Sequence, residues 1–393
     1  MTTLTPARTA FRPGTQIHSA HTVHTTPLGY DRASIPVGTQ LPVPAAAELV
    51  DRLSTCDEIE VSFHGKLGDT LLALAALRAL TEWRALRALP TTVRATGPYT
   101  QIIARSGLLT PAPADAPDAG AGAGAGRRAV IGDRAGVETR GAQAAVSVVC
   151  DPAAPPSWSS DGRAHLDLPA RHYLALERRL GVRLPATAPF TPLLVSQAGR
   201  FTDQLRASGW LDGLTIAAIT ATSWPELKDY TPHRYIQIAR QIADAHNTRV
   251  NLLVIGGDPG TGMHVSRQTA GGNVEILYLD GIPAADLIDL FPHCRLVIGN
   301  DTGLTHLAAM TRTPRGGGPP VIGLYTRHSH SKWRTGLPHH HAMATALSER
   351  MHQGDLCPVR DVIAPPPDTG LCMDAFDPAT VAELCLDLLN GVR

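Results

Sequence analysis

The stretch Leu296-Val-Ile-Gly-Asn-Asp-Thr-Gly-Leu-Thr-His-Leu-Ala-Ala-Met310 constrains this chain more than any other. Leu296 to Ile298 form a short apolar run of strand type. Gly299 to Gly303 form a turn, and Leu304, Leu307 and Ala308 share one helical face. Asp301 or Thr302 is placed to cap that helix with a side-chain oxygen. A strand, a glycine-bracketed turn and a helix N-terminus present unpaired N–H groups and a positive dipole end, which suits a phosphate. Gly303 has no Cβ to hold that phosphate off the backbone. The same pattern also serves an ordinary strand-to-helix turn in an α/β domain.

The alternation recurs along the chain. Residues 1–50, rich in Thr, Pro and His, read as an N-terminal extension with a short helix at Ala45–Leu53. Strands are expected at Glu58–Phe63, Thr91–Ala95, Ala129–Ile131 and Ala144–Cys150, and helices at Asp69–Ala85, Tyr99–Ser106 and Arg171–Leu180. The Pro-Ala and Ala-Gly run over 111–126 cannot bury a core and reads as a flexible loop. Arg183 to Pro192, with prolines at 185, 189 and 192, is the expected linker. Beyond it come strands at Leu214–Thr220, Val250–Ile255, Val274–Leu277, Leu296–Ile298 and Val321–Leu324. Helices are expected at Pro232–Ala245, Ala284–Phe291 and Pro378–Leu389. Strands alternating with helices predict parallel sheets covered on both faces.

Composition excludes several classes. Lys plus Arg (35) equal Asp plus Glu (35), so no bulk charge points to nucleic acid or to an anionic membrane. The longest aliphatic run, Leu71 to Leu77, is far short of a bilayer span, and the first 30 residues carry no apolar core of a secretory signal. Cys56, Cys150, Cys294, Cys357, Cys372 and Cys385 form no C-x-x-C pair, which suggests reduced thiols and a cytoplasmic protein.

Two motifs carry a family resemblance. Asn300-Asp-Thr-Gly-Leu-Thr-His-Leu-Ala-Ala309 is similar to the nucleotide-sugar motif of the heptosyltransferase-like glycosyltransferase family 9. Gly65-Lys-Leu-Gly-Asp-Thr-Leu-Leu-Ala-Leu-Ala-Ala-Leu-Arg-Ala-Leu80 resembles that family's N-terminal Gly-Asp loop and first helix. The resemblance implies a GT-B architecture, α/β with two doubly wound Rossmann-like domains facing a central cleft. Residues 51–185 would bind the acceptor, 192–377 the nucleotide sugar, and 378–393 would form a terminal helix. It implies inversion at the anomeric carbon by a single displacement, with no cofactor and no essential metal. The donor would be a nucleotide-diphospho sugar such as ADP-heptose.

Site residues follow from the same match. Asp69 corresponds to the family's proposed general base, although a carboxylate at a helix start also serves as a plain cap. Lys228, in Thr222-Ser-Trp-Pro-Glu-Leu-Lys228, matches a lysine that reaches the donor phosphates, with Thr222 beside it. Gly257 and Asp258 match a nucleoside-binding loop, but the family's glutamate a few residues on is missing. Asp301, Thr302, Gly303, Leu304 and His306 complete the donor side. His64, Lys66, Gly68, Arg327 and His328 are acceptor-side candidates. The segment after Leu324 departs from the family pattern, with an insertion at Arg315–Pro320 and histidines at 328, 330 and 339–341. Their spacing fits no zinc pattern, so a positively charged loop is expected and no metal. A lipopolysaccharide-core acceptor follows from the family, while the extension and the altered 315–341 region fit a small soluble acceptor. An epimerase of the same fold, making product from donor alone, and a silent nucleotide-binding protein are the alternatives.

Overall fold

The structure, a computed structural model, describes residues 15–17, 22–25, 43–63, 65–90, 92–110, 128–132, 166–186, 189–256, 262–353 and 373–391. The expected strand at 144–150 and the loop at 111–126 lie outside these. In chain order the elements begin with β1 (Thr15–Ile17), β2 (Thr22–Thr25), α1 (Val43–Ser54), β3 (Glu58–Ser62) and α2 (Leu67–Leu86). Next are β4 (Thr92–Thr96), α3 (Thr100–Ala104), β5 (Arg128–Gly132), α4 (Leu168–Leu180), β6 (Leu194–Val195) and α5 (Arg200–Ala207). Then follow β7 (Leu214–Ile219), α6 (Pro225–Lys228), α7 (Pro232–His246), β8 (Val250–Gly256), β9 (His264–Thr269) and β10 (Val274–Asp280). The remainder is α8 (Ala284–Leu290), β11 (Leu296–Asn300), α9 (Gly303–Met310), β12 (Thr311–Arg312), β13 (Val321–Tyr325), β14 (His340–Thr345), α10 (Ala346–Gln353) and α11 (Pro378–Leu389).

The chain divides into two compact α/β units. One comprises residues 29–164 and 168–194, the other 1–28, 165–167 and 195–393. In the former, β3 lies between β4 and β5, parallel to both. The sequence expectation started α2 at Asp69, but it starts at Leu67 with Lys66 at the cap position. Asp69 therefore sits inside the first turn, where its carboxylate accepts a long bond from the Lys66 N–H at 3.4 Å. Leu71, Leu72, Leu74, Leu77 and Leu80 are buried, and α2 packs along α4, where Tyr173 stacks on Phe190 at 4.5 Å.

The larger unit carries a nine-stranded sheet in the order β1-β2-β14-β13-β11-β7-β8-β10-β9. Its six central strands are mutually parallel, and each edge is closed by antiparallel pairing. Five of the central strands, β7, β8, β10, β11 and β13, are predominantly apolar because both faces are covered. Ile216, Ala218, Leu252, Val254, Ile276, Ile298 and Ile322 join one core with α7 and α11, while α9 packs on β11 and β13. Within the N-terminal extension β1 pairs with β2, and β2 pairs with β14 through Thr22–Thr25.

One expectation is overturned here. The run 339–341 is not a charged loop: His340 and His341 open β14 and are buried. Burial holds His340 well below the usual imidazole pKa and also lowers His339. A charged imidazole loses its hydration there, so His339 and His340 are neutral.

Candidate functional site at the switch of strand order

Numbering the six parallel strands by sequence, the order across the sheet is 3-2-1-4-5-6, with β7 first and β11 fourth. The order reverses between β7 and β11. Connections leaving their carboxyl ends run to opposite sides, and the crevice left there is where open α/β sheets bind ligands. The sequence places Thr220 to Tyr230 after β7 and Asn300 to Gly303 after β11. The Lys228 and Asp301 regions therefore meet because the topology brings these two strand ends side by side.

Asn300 locks the two loops together. Its Nδ2 donates to Thr220 O at 2.6 Å, and its Oδ1 accepts from the Tyr230 N–H at 3.2 Å and the Tyr235 hydroxyl at 2.8 Å. Thr305 Oγ1 donates to Asn300 O at 2.6 Å. Gly299 is required by this packing, because a Cβ there would lie 2.1 Å from Thr305 Oγ1. In the other loop, Thr222 Oγ1 donates to Asp229 Oδ1 at 2.6 Å and accepts from the Trp224 N–H at 3.2 Å. Thr222, expected to touch the donor, thus spends its hydroxyl shaping the turn that carries Lys228.

Beneath the turn lies a buried charge cluster. Lys228 Nζ is 2.6 Å from Asp301 Oδ2 and 2.7 Å from His328 Nδ1, and His328 Nδ1 is 2.5 Å from the same Asp301 oxygen. Lys228 and Asp301 are 5% and 7% exposed, so the pair is inside the protein. Burial raises the Asp301 pKa, but the Lys228 ammonium and His328 outweigh it and hold the carboxyl well below the usual range. Desolvation lowers His328, against the pull of Asp301. The short approach to Asp301 needs a proton on Nδ1, and Lys228 can only donate. One nitrogen cannot serve both, so the three groups hold one contact that is not a hydrogen bond. The His328 ring stacks on Trp333 at 5.0 Å and lies 5.7 Å from Trp224, whose ring also sits 5.2 Å from Lys228 Nζ.

Above the cluster, Thr302, Gly303 and Leu304 are partly exposed at the start of α9. Thr302 is at the cap position, as expected, but its side chain makes no cap bond. The dipole end of α9 is therefore left without a side-chain cap. His306, one turn on, is buried with Nδ1 unpartnered, and burial pushes its pKa down to about 4. It is a neutral ring packed 5.9 Å from His340.

Arg327 adds a net cation. It is 2% exposed, none of its guanidinium nitrogens has a partner, and its charge helps depress His328. An uncompensated buried guanidinium costs several kcal/mol unless an anion joins it. Sequence reading put Arg327 and His328 with the acceptor. The structure brings His328 to Lys228 and Asp301, in the larger unit. Trp224, Trp333 and Asn300 were not singled out by residue type, and only their positions beside the two loops signal them. Asp69, Lys66 and Gly68 sit at the first turn of α2 in the smaller unit. His64, Gly257 and Asp258 lie outside the described residues.

The family model described as "Glycosyltransferase family 9 (heptosyltransferase)" matches residues 170–359. No curated protein matches the chain in sequence. Among solved structures, the chain is similar to a glycosyl transferase family 9 protein from Veillonella parvula, with 15% identity, 85% of this chain and 97% of that one covered, and TM-score 0.49. It is also similar to the E. coli ADP-heptose LPS heptosyltransferase II (14%, 85% and 99%, 0.48). E. coli heptosyltransferase WaaC with ADP gives 15%, 84% and 99%, and 0.46.

Proposed function

We propose that the chain, whose residues 170–359 match the model of glycosyltransferase family 9 (heptosyltransferase), transfers a sugar, of heptose type, from a nucleotide-diphospho sugar to an acceptor hydroxyl with inversion. The observation that carries this reading is the switch-point site. An uncapped helix end, a glycine turn, Lys228 and the unpartnered Arg327 converge on the kind of place where a diphosphate binds.

The chemistry is a single displacement. Asp69 takes the acceptor's hydroxyl proton, and the oxygen attacks the anomeric carbon from the face opposite the leaving group. The bond from that carbon to the β-phosphate oxygen breaks, and the nucleoside diphosphate departs carrying the electron pair. Its charge is met by the N–H groups of the first turn of α9, by Lys228 and by Arg327. Because Asp301 already neutralises Lys228, Arg327 supplies the net positive charge of the site. In this mechanism no magnesium or manganese serves the leaving group. The acceptor is a small molecule or a glycolipid, and the reaction is cytoplasmic. No described helix is long and apolar enough to cross a membrane.

The test is a thermal-shift screen of nucleotide sugars, followed by mass detection of transfer onto both acceptor classes. Transfer that survives EDTA is expected. A product made from donor alone would replace the reading with epimerisation, and activity lost to EDTA and restored by magnesium or manganese would overturn the leaving-group mechanism.

A further inference from the structure

The segment after β13 and the helix α10 bring together three side chains the mechanism does not use. His330, Glu349 and His352 are all buried, and one ligand-capable atom from each lies within 4.8 Å of the others. Glu349 and His352 are three residues apart on α10, which places them on one face of that helix. His330 comes from the loop, with Nε2 2.6 Å from Glu349 Oε2 and its ring 4.8 Å from that of His352. We propose that His330, Glu349 and His352 bind one divalent transition-metal ion.

The donor set decides the class of ion. Two imidazole nitrogens and one carboxylate oxygen suit zinc or iron(II), whereas magnesium and calcium want oxygen. Tetrahedral ligands about 2.1 Å from an ion stand about 3.4 Å from each other. Side-chain shifts of about an ångström would bring the trio there, and three protein ligands leave a position for water. The surroundings of the trio are already organised. Ser329 Oγ lies 3.4 Å from His352 Nδ1. Thr345 Oγ1 donates to Thr326 O at 2.6 Å, Ser348 Oγ donates to His328 O at 2.5 Å, and the His330 N–H donates to Ser348 Oγ at 3.2 Å. The start of α10 thus holds the loop that carries Arg327 and His328, and the ion would complete that clamp. Its role is to fix the loop, and the proposal stands whether or not the transfer reading does. Spacing along the chain missed the trio because His330 lies 19 residues before Glu349 and meets it only through the fold.

The test uses the full chain without an affinity tag, stripped with dipicolinate. It is titrated with Co2+ under visible absorption, and separately loaded with Zn2+, desalted and assayed for metal content. Uptake of about one equivalent is expected, as for a folded single site. The Co2+ spectrum should show ligand-field bands without the near-ultraviolet thiolate band that cysteine ligation gives. His352→Asn and Glu349→Gln should each reduce retained zinc to below about a tenth of an equivalent. Negligible uptake by the parent, a thiolate band, or undiminished uptake in both folded variants would overturn the proposal. Should the variants fail to fold, the parent's cobalt spectrum decides.

Discussion

Lys228→Met separates the structural and ligand-binding roles of one side chain. The ammonium lies 2.6 Å from Asp301 Oδ2 and both groups are buried, so its removal strands a carboxylate inside the protein. Breaking such a pair costs about 3–5 kcal/mol. His328, 2.5 Å from the same oxygen, moderates the loss when it holds a proton. With the ammonium gone, the His328 pKa should rise relative to the parent. Relative to the parent, that compensation grows as pH falls through the window between the parent's lowered His328 pKa and the variant's higher one. The variant should therefore lose most stability at pH 8 and less at pH 6. Adding Asp301→Asn removes the stranded charge, so the double variant should recover about 1–3 kcal/mol relative to additivity. It should not recover ligand binding. Each single charge-assisted contact to a diphosphate contributes about 1–3 kcal/mol, so affinity for nucleoside diphosphates should fall about 5- to 150-fold in both variants. Urea unfolding at the two pH values and titration calorimetry read the two effects. A Lys228→Met protein as stable as the parent at pH 8 would refute the buried-pair argument. Equal affinity for every nucleoside diphosphate would remove Lys228 from the ligand site.

Two further expectations concern a rate and a pH profile. Asp69→Asn keeps the size and the helix-end contact but loses the proton acceptor, so transfer should slow about 100- to 10,000-fold while donor binding persists; a folded variant within a few-fold of the parent rate would leave Asp69 a helix-end residue only. His306, with a folded pKa of about 4 against 6.5 unfolded, is neutral in the native state while the unfolded chain binds the proton. The contribution of His306 to stability should be level above pH 6.5 and fall by about 3 kcal/mol as pH drops to 4. Asp301 acts only below that range, its contribution being complete above the unfolded carboxylate value near 4. Melting curves of the parent and His306→Gln across this range should diverge, and identical slopes would show that His306 titrates normally.

The elements that could be read from sequence are those whose burial is uniform. β7, β8, β10, β11 and β13 are predominantly aliphatic, and Pro378 with an amphipathic period marks both ends of α11. The unread elements hide for identifiable reasons. β14 begins with two buried histidines, and their polarity suggested a loop. The edge strand β9, His-Val-Ser-Arg-Gln-Thr, is almost wholly exposed and has no apolar face to announce it. At the site, the Asn300–His306 turn and Lys228 were legible because strand, glycine and helix signals are local. The partnership of His328 with Asp301, and the meeting of His330 with Glu349 and His352, were not legible. They depend on a strand order that no local window contains.

The β1–β2 hairpin sets an order of assembly. His24 registers with Met343, so the start of the chain joins its sheet only after β14 exists. On a chain made from its N-terminus, the smaller unit has all its residues early, whereas the larger sheet must wait for His340–Thr345 before that edge can close. The hairpin then spans a very long loop, and closing it costs entropy that its few pairs offset late in folding. Until it docks, the outer edge of β14 is a row of unpaired backbone groups next to an apolar core, the feature by which strands recruit other chains. In the folded chain β2 pairs along that edge and covers it.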